Sequence, residues 1–294
     1  MAINRQKVLD AAQKYIEKNK YDKAVIELRA LVAAEPNDAR TLQKIGDLQL
    51  KQGLVAEALD TYDSVGNLYA RDGFATKAVA VYKNVREILA DAARRAPPGQ
   101  PGPLSHLEAR YGHVAAKLAD LYRELGLTSD ALALLNEIAT SLQRQQKHVE
   151  AIDVFRQIAA LDPNNPIPHL HVAEALSRER DVEGAVAEFA NAAALLVKAE
   201  RNNDALQVLE RLLHHRADPG QARLCAELYL ARNRPPHDAM QALAKLQICY
   251  RANPHDVEVL RLIARGFELV GQHEKAADLH REIARISAMA KPTT

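Results

Sequence analysis

Two pairs of closely spaced histidines are the residues in this sequence whose chemistry would suit a metal ion. They are His169 with His171 and His214 with His215, and neutral imidazole is the commonest metal ligand in proteins. Residues that are adjacent or two apart on a helix point in different directions. Neither pair can therefore chelate an ion alone. We predict no metal site and assign these histidines to packing or surface positions.

The other side chains that could catalyse a reaction are also isolated. Cys225 and Cys249 form no Cys-x-x-Cys motif, and we interpret them as small buried residues in a reducing compartment. The sequence has no His-Glu-x-x-His motif and no glycine-rich phosphate loop, which are the motifs of zinc proteases and nucleotide-binding proteins. Its carboxylates are scattered among basic residues. We predict no catalytic residue, no cofactor and no enzyme, with a catalytic carboxylate pair within the chain kept as an alternative.

Composition favours an all-helical protein that binds no nucleic acid. Hydrophobic residues make up 48% of the 294 residues, with no Trp and only 4 Phe, and Ala, Leu, Glu, Lys, Arg and Gln are the strong helix formers. The 39 basic and 38 acidic side chains leave a net charge of +1, whereas nucleic-acid binders usually carry a clear basic excess.

The sequence also bears on where the protein works. No apolar stretch approaches the roughly 20 residues needed to cross a bilayer, and no apolar segment of a signal peptide follows the charged first residues. We therefore expect a cytoplasmic protein with no membrane insertion. A composition rich in Ala and Arg is typical of a bacterial protein.

An internal repeat organises these helix-forming residues. Ala24 and Ala58 lie 34 positions apart, each within a short helix-like pattern. Pro36 follows the first of these patterns, because proline cannot continue a helix. Ala12 and Gly46 occupy matching places one helix earlier, and we interpret both as small residues where two helix backbones pass closely.

The same pattern recurs along nearly the whole chain. Nine alanine anchors are each followed by apolar residues at helical spacing, and the steps between successive anchors are 34, 20, 53, 20, 34, 20, 37 and 34 positions. The anchors are Ala24, Ala58, Ala78, Ala131, Ala151, Ala185, Ala205, Ala242 and Ala276. A step of 20 positions has room for a single helix. The helices after Ala58, Ala131 and Ala185 therefore serve both as the second helix of one repeat and as the first of the next.

These residues resemble the tetratricopeptide repeat (TPR) family. The second repeat shows the family's order of a large apolar residue, Leu-Gly or its equivalent, a turn glycine, a small residue and an aromatic, here Leu42, Ile45, Gly46, Gly53, Ala58 and Tyr62. The resemblance implies an all-α fold: a right-handed superhelical solenoid of antiparallel helix pairs, with about 15 helices.

One segment divides the chain. Residues 96–104 contain four prolines and two glycines, which exclude a helix. We predict N-terminal repeats over residues 1–95, a linker or loop over 96–104, and C-terminal repeats over 105–290. The segment is either a surface loop within one solenoid or a hinge between two binding surfaces. A smaller break at residues 233–237 lengthens a turn.

The resemblance implies a protein scaffold or adaptor that binds one or more partner proteins through a concave groove. The family's groove positions are the outward residues of each repeat's first helix, with ordinary solvated positions as the alternative for each. In the first two repeats they are Gln6, Gln13, Arg40, Gln43, Lys44 and Asp47. The same spacing adds Asn67, Lys117, Asp120, Asn136, Glu174, Arg178, Arg261 and Arg265.

Three positions depart from the family members that clamp the acidic tail of chaperones. Asp10, Ser64 and Asp60 stand where that clamp has Asn, Arg and Lys. We therefore predict no such clamp. The C-terminal helix, from His273 to Met289, is either a solvating end cap or the contact that forms a homo-oligomer. An RNA-binding helical-repeat protein is the alternative function, and it would require a basic, aromatic-lined groove.

Overall fold

A computed structural model describes residues 4–94, residue 107 and residues 110–289 of the chain. Fifteen α-helices and no strand occur in these residues, which confirms the all-α prediction. Most helices pack mainly on their neighbours in sequence, such as α1 on α2 and α3 on α4. Such nearest-neighbour packing is the organisation of a solenoid.

The helices group into two compact units, residues 1–140 and residues 141–294. The first unit holds α1 (Arg5–Glu17), α2 (Tyr21–Ala34), α3 (Ala39–Lys51), α4 (Val55–Arg71), α5 (Ala75–Arg94), α6 (His113–Glu124) and most of α7 (Thr128–Arg144). The predicted linker at 96–104 lies outside the described residues, so the domain boundaries expected from sequence stay a prediction.

The second unit begins within the last turn of α7. It continues through α8 (His148–Leu161), α9 (Pro166–Arg178), α10 (Val182–Lys198), α11 (Asn202–His215), α12 (Pro219–Arg232), α13 (His237–Ala252), α14 (Val257–Leu269) and α15 (His273–Met289).

Local chemistry explains where several helices begin. The side chains of Asn165, Asp218 and Asp256 accept hydrogen bonds from backbone N–H groups in the first turn of the helices that follow. Such caps satisfy N–H groups that have no partner within the helix. Pro166 and Pro219 occupy the first helical positions, where a missing N–H costs nothing.

The alanine anchors form the packed interior of both units. All nine are buried, at 0–3% exposure, because a methyl side chain lets neighbouring helices approach closely. The shortest steps between anchors are also explained, since α4, α7 and α10 are each one continuous helix of 17 residues. Each is longer than the helix before it, and α4 and α10 pack on both the preceding helix and the following one.

Candidate partner-binding surface

In the first unit, the C-terminal half of α4 brings two of the predicted groove residues together. Lys117 on α6 donates a hydrogen bond from Nζ to Asn67 Oδ1 at 2.8 Å. The same oxygen accepts a hydrogen bond from the Tyr82 hydroxyl at 3.0 Å, and Asn67 Nδ2 donates to Asp63 Oδ2 at 3.2 Å. Asn67 is therefore held in one orientation by three neighbours from three helices.

Two tyrosines on successive helices repeat this arrangement. The Tyr62 hydroxyl donates to the Asp47 carboxylate, just as Tyr82 donates to Asn67. Burial of both rings raises the pKa of each phenol well above its usual range, and the nearby carboxylates of Asp47 and Asp63 add to the effect. Asp47 and Asn67 are thus exposed at the surface and also orient buried rings.

The tyrosine rings also explain the small residues beneath them. A Cβ atom added at Gly46 would meet the Tyr62 ring at 3.0 Å, and one added at Gly66 would meet the Tyr82 ring at 2.5 Å. The small size of Gly46 is therefore explained by the Tyr62 ring, and the predicted close approach of two helix backbones there stays a prediction. The nearest neighbour is an aromatic ring, and a flat ring fits against a helix only where no side chain projects.

An open cleft of about 490 Å³ lies beside Asn67, where α4 extends past the start of α3. Leu42 and Leu68 supply apolar surface, and Arg71 supplies a guanidinium group that is 60% exposed. The described residues that line it are Pro36, Leu42, Ser64, Asn67, Leu68 and Arg71. Of the predicted groove residues, Asn67 alone is among them, and the apolar residues Leu42 and Leu68 were not predicted to bind a partner.

The chain returns to α4 after the segment that carries the prolines. Arg110 donates to Asp60 at 2.6 Å, and the buried Tyr111 hydroxyl donates to the same carboxylate. Lys117 Nζ and His113 Nε2 approach Asp63 Oδ1 at 3.3 and 3.2 Å. These contacts join parts of the chain that are distant in sequence, and they fix α6 beside α4.

The remaining predicted groove residues lie apart from the cleft and stay predictions. Arg40 and Arg265 are exposed, and Gln43 and Lys44 are half-buried. Several others contact a residue on their own helix: Gln6 with Asp10, Gln13 with Glu17, Asp120 with Arg123, Asn136 with the Leu132 carbonyl, and Arg261 with Glu258. In the second unit, Arg178 contacts His148 and Glu174 contacts Arg211.

The histidines of the second unit have partners other than metal. His169 Nδ1 lies 2.7 Å from Glu188 Oε2, while His171 stacks on the Phe155 ring with 4.5 Å between centroids. His215 stacks on Phe189 at 5.8 Å. Within the described part of the chain, no three His, Cys, Asp or Glu side chains are placed to share a metal ion.

A second, more apolar cavity of about 290 Å³ lies among α13, α14 and α15. Leu243, Gln247, Tyr250, Ile263, Phe267 and Leu279 line it. Its ring face is partly covered, because Lys275 Nζ lies 5.4 Å from the Phe267 centroid. None of the residues that line this cavity is among the predicted groove residues.

Neither cysteine offers a reactive thiolate. Both are buried and unpaired with each other. Burial and then the Glu210 carboxylate raise the pKa of Cys225 to about 12, and burial raises the pKa of Cys249 as well. A thiol is a nucleophile only when it ionises.

None of the described helices is long and apolar enough to cross a membrane.

Comparison with known proteins identifies the first two repeats. The family model for the tetratricopeptide repeat matches residues 9–71. Among solved structures, MamA from Desulfovibrio magneticus RS-1 is 18% identical, with 54% of this chain and 97% of that one covered and a TM-score of 0.31. YrrB, titled a TPR protein with an unusual peptide-binding site, is 15% identical over 53% of this chain and 87% of its own, with a TM-score of 0.31. No curated protein sequence matches.

Proposed function

We propose that this chain, whose residues 9–71 match the tetratricopeptide repeat family model, is a protein–protein interaction scaffold or adaptor without catalytic activity of its own. We propose further that the first unit holds an extended or helical segment of the partner in the cleft beside α3 and α4. The single observation that carries this proposal is the cleft itself, which combines an apolar floor with a polar rim.

The lining of the cleft indicates which segment would fit. Leu42, Leu68 and Pro36 would cover an apolar side chain of the partner, and apolar burial is the main source of affinity in such contacts. Arg71 would donate hydrogen bonds to a carboxylate or a backbone carbonyl. Its present partner, Asp72, is a neighbour in sequence at 3.1 Å in an exposed ion pair, and such pairs are weak enough to exchange.

The lining also favours a protein partner over RNA. An RNA groove requires several basic side chains and aromatic rings on which bases stack. Among the described residues that line the cleft, one is an Arg and none is aromatic. RNA binding therefore remains the alternative function, to be tested beside the proposal rather than combined with it.

Four further proposals rest on the sequence alone. They are a cytoplasmic location, a division of the repeats at residues 96–104, participation of the remaining groove residues in partner binding, and homo-oligomer formation through α15. Ile283 and Ile286 on that helix are half-buried, and this amount of exposure fits an end cap as well as a contact with a second copy.

The cleft can be tested by filling it. Ser64 is exposed, lines the cleft and donates its hydroxyl to the Asp60 carbonyl one turn earlier. Ser64→Phe would place a ring in the space proposed for the partner. Thr140→Phe is the matched control, because Thr140 is also exposed and also donates to the carbonyl one turn earlier, but lies outside the cleft.

The experiment is affinity purification with the full chain and both variants, followed by mass spectrometry and titration of each captured protein with purified wild type. We expect Ser64→Phe to weaken binding of a specific partner at least about tenfold, which corresponds to about 1.4 kcal/mol. Thr140→Phe should bind as wild type does. Equal binding by all three chains would refute the cleft as the site, and capture of RNA alone would support the alternative.

A further inference from the structure

One surface of the second unit concentrates imidazole and guanidinium groups around α9. Positions 171, 174 and 178 follow each other by about one helical turn, so their side chains lie on one face of α9. Residues of α8 and α11 adjoin this face through their contacts with Arg178, Glu174 and Ser177. We call this surface the histidine face and define it as His148, His171, Arg178, Arg211 and His215.

Two of its imidazoles are stacked on phenylalanines. His171 lies 4.5 Å from the Phe155 ring at an interplanar angle of 19°, and His215 lies 5.8 Å from the Phe189 ring at 16°. Both phenylalanines are buried and both histidines are half-buried. A cation over the face of an aromatic ring is attracted to it. The stacking therefore remains favourable when the imidazole gains a proton.

The third imidazole, that of His148, lies beside the guanidinium group of Arg178. Arg178 Nη1 lies 3.5 Å from His148 Nδ1, which is long for a hydrogen bond. Neutral imidazole can accept from the guanidinium, but a protonated one has no acceptor. Two cations then stand side by side. A carboxylate placed between them would relieve their repulsion and accept hydrogen bonds from both.

The other groups that face these histidines are an ion pair, two uncharged side chains and further imidazoles. Glu174 is paired with Arg211 at 2.9 Å, and Arg211 also covers the Phe189 ring at 4.9 Å. His171 faces the amide of Gln143 on α7. His215 faces the hydroxyl of Ser177 on α9 and the ring of His214 on its own helix. Next to the face, His169 is paired with Glu188 of α10.

The charge of this face therefore depends on its imidazoles. At pH 8 one carboxylate stands against two guanidinium groups. Imidazole is the side chain that changes charge between pH 5 and 8, so protonation adds up to three positive charges at His148, His171 and His215, with His214 beside them.

We propose that the histidine face binds a carboxylate-rich segment of a partner protein, and binds it more tightly as the pH falls from about 8 to about 5.5. This inference rests on the proposed function as a protein scaffold and names the chemistry of one partner segment. A nucleic acid fits the face less well, because the Phe155 and Phe189 rings are buried under imidazoles and cannot stack on bases.

The test uses a fluorescein-labelled peptide of ten glutamates as the probe and measures its fluorescence anisotropy with the full chain at constant low ionic strength. We expect the affinity to increase at least about tenfold between pH 8 and pH 5.5. The triple variant His148→Gln, His171→Gln and His215→Gln should lose this increase. Arg178→Gln should lower the affinity at both pH values and keep a pH dependence. Circular dichroism of each variant would establish that it is folded.

His280→Gln is the matched control, because His280 is an exposed histidine paired with Glu268 away from this face; its pH dependence should equal that of wild type. A pH-independent affinity, or an increase that persists in the triple variant, would overturn the proposal. So would tighter binding of a ten-nucleotide oligouridylate, which would assign the face to RNA. Ser64→Phe should leave binding of this probe unchanged, so the cleft and the histidine face can fail separately.

Discussion

Replacement of Gly66 tests whether the packing of the Tyr82 ring positions the surface of the first unit next to Asn67. A Cβ atom added there would lie 2.5 and 2.6 Å from two atoms of the Tyr82 ring, well inside van der Waals contact. Tyr82 is fully buried, and its hydroxyl is held by Asn67 at 3.0 Å. The ring cannot move aside without disturbing both the interior and the Asn67 side chain next to the cleft.

The expected magnitude follows from three opposing contributions. Overpacking in a closely packed core costs about 1–3 kcal/mol, and loss of the Tyr82–Asn67 hydrogen bond costs about 1 kcal/mol more. Alanine favours a helix over glycine by about 1 kcal/mol. We therefore expect Gly66→Ala to destabilise the first unit by about 1–3 kcal/mol. Gly46→Ala, whose Cβ would meet the Tyr62 ring at 3.0 Å, should change stability by less than about 1 kcal/mol.

Hydrogen exchange measured by mass spectrometry can assign the loss to the right helices, because it reports the opening free energy of α4 and α5 separately from the second unit. Gly66→Ala should raise exchange in α4 and α5. In a Tyr82→Leu background, where the ring is gone, the same substitution should become neutral or stabilising. The reasoning fails if Gly66→Ala alone stabilises α4, or if its cost is unchanged without the ring.

Three substitutions and one chemical reaction test the second unit. Arg180 and Glu200 have positive φ angles of 62° and 57° at helix ends, where only glycine is unstrained. Arg180→Gly and Glu200→Gly should therefore each raise the free energy of unfolding, measured by urea titration, by up to about 1 kcal/mol. The hydrogen bonds from Arg232 hold the pKa of the buried Asp238 carboxyl well below its usual range. Asp238→Asn should therefore lower the free energy of unfolding by about 1–3 kcal/mol at pH 7. Because the pKa is lowered in the folded state, this difference in stability from wild type should persist down to about pH 4 and shrink only below it. Iodoacetamide at about pH 8 should leave Cys225 unmodified until urea unfolds the chain, as intact mass would show, because its pKa is about 12.

The fold could be read from the sequence because each repeat encodes its packing locally. A buried alanine followed at helical spacing by apolar residues specifies a helix and the face it buries, and this information lies within one helix. Ala58 followed by Tyr62 and Val65 is such a case, and all three are buried. The distances between anchors also predicted single long helices, because the shortest steps cannot hold two helices and their turns.

The candidate surfaces could be read only in part, because they depend on contacts between distant residues. Lys117 meets Asn67 across 50 positions, and the intervening chain includes the prolines, so no repeat spacing predicts the pair. The cleft has a similar cause, since it arises where the long α4 extends past the start of α3. The repeat spacing identified outward-facing positions, but it could not predict which neighbouring side chains form hydrogen bonds with them.

The aromatic residue that follows some alanine anchors by four positions differs between the two units. In the first unit it is Tyr62 or Tyr82, and each hydroxyl is bound to a polar residue 15 positions earlier, Asp47 or Asn67. In the second unit it is Phe155 or Phe189, which have no hydroxyl, and each ring face is covered by a histidine. A tyrosine at this position thus fixes a polar side chain beside it, whereas a phenylalanine supports an imidazole ring. The same position in the repeat therefore gives the two units surfaces of different chemistry.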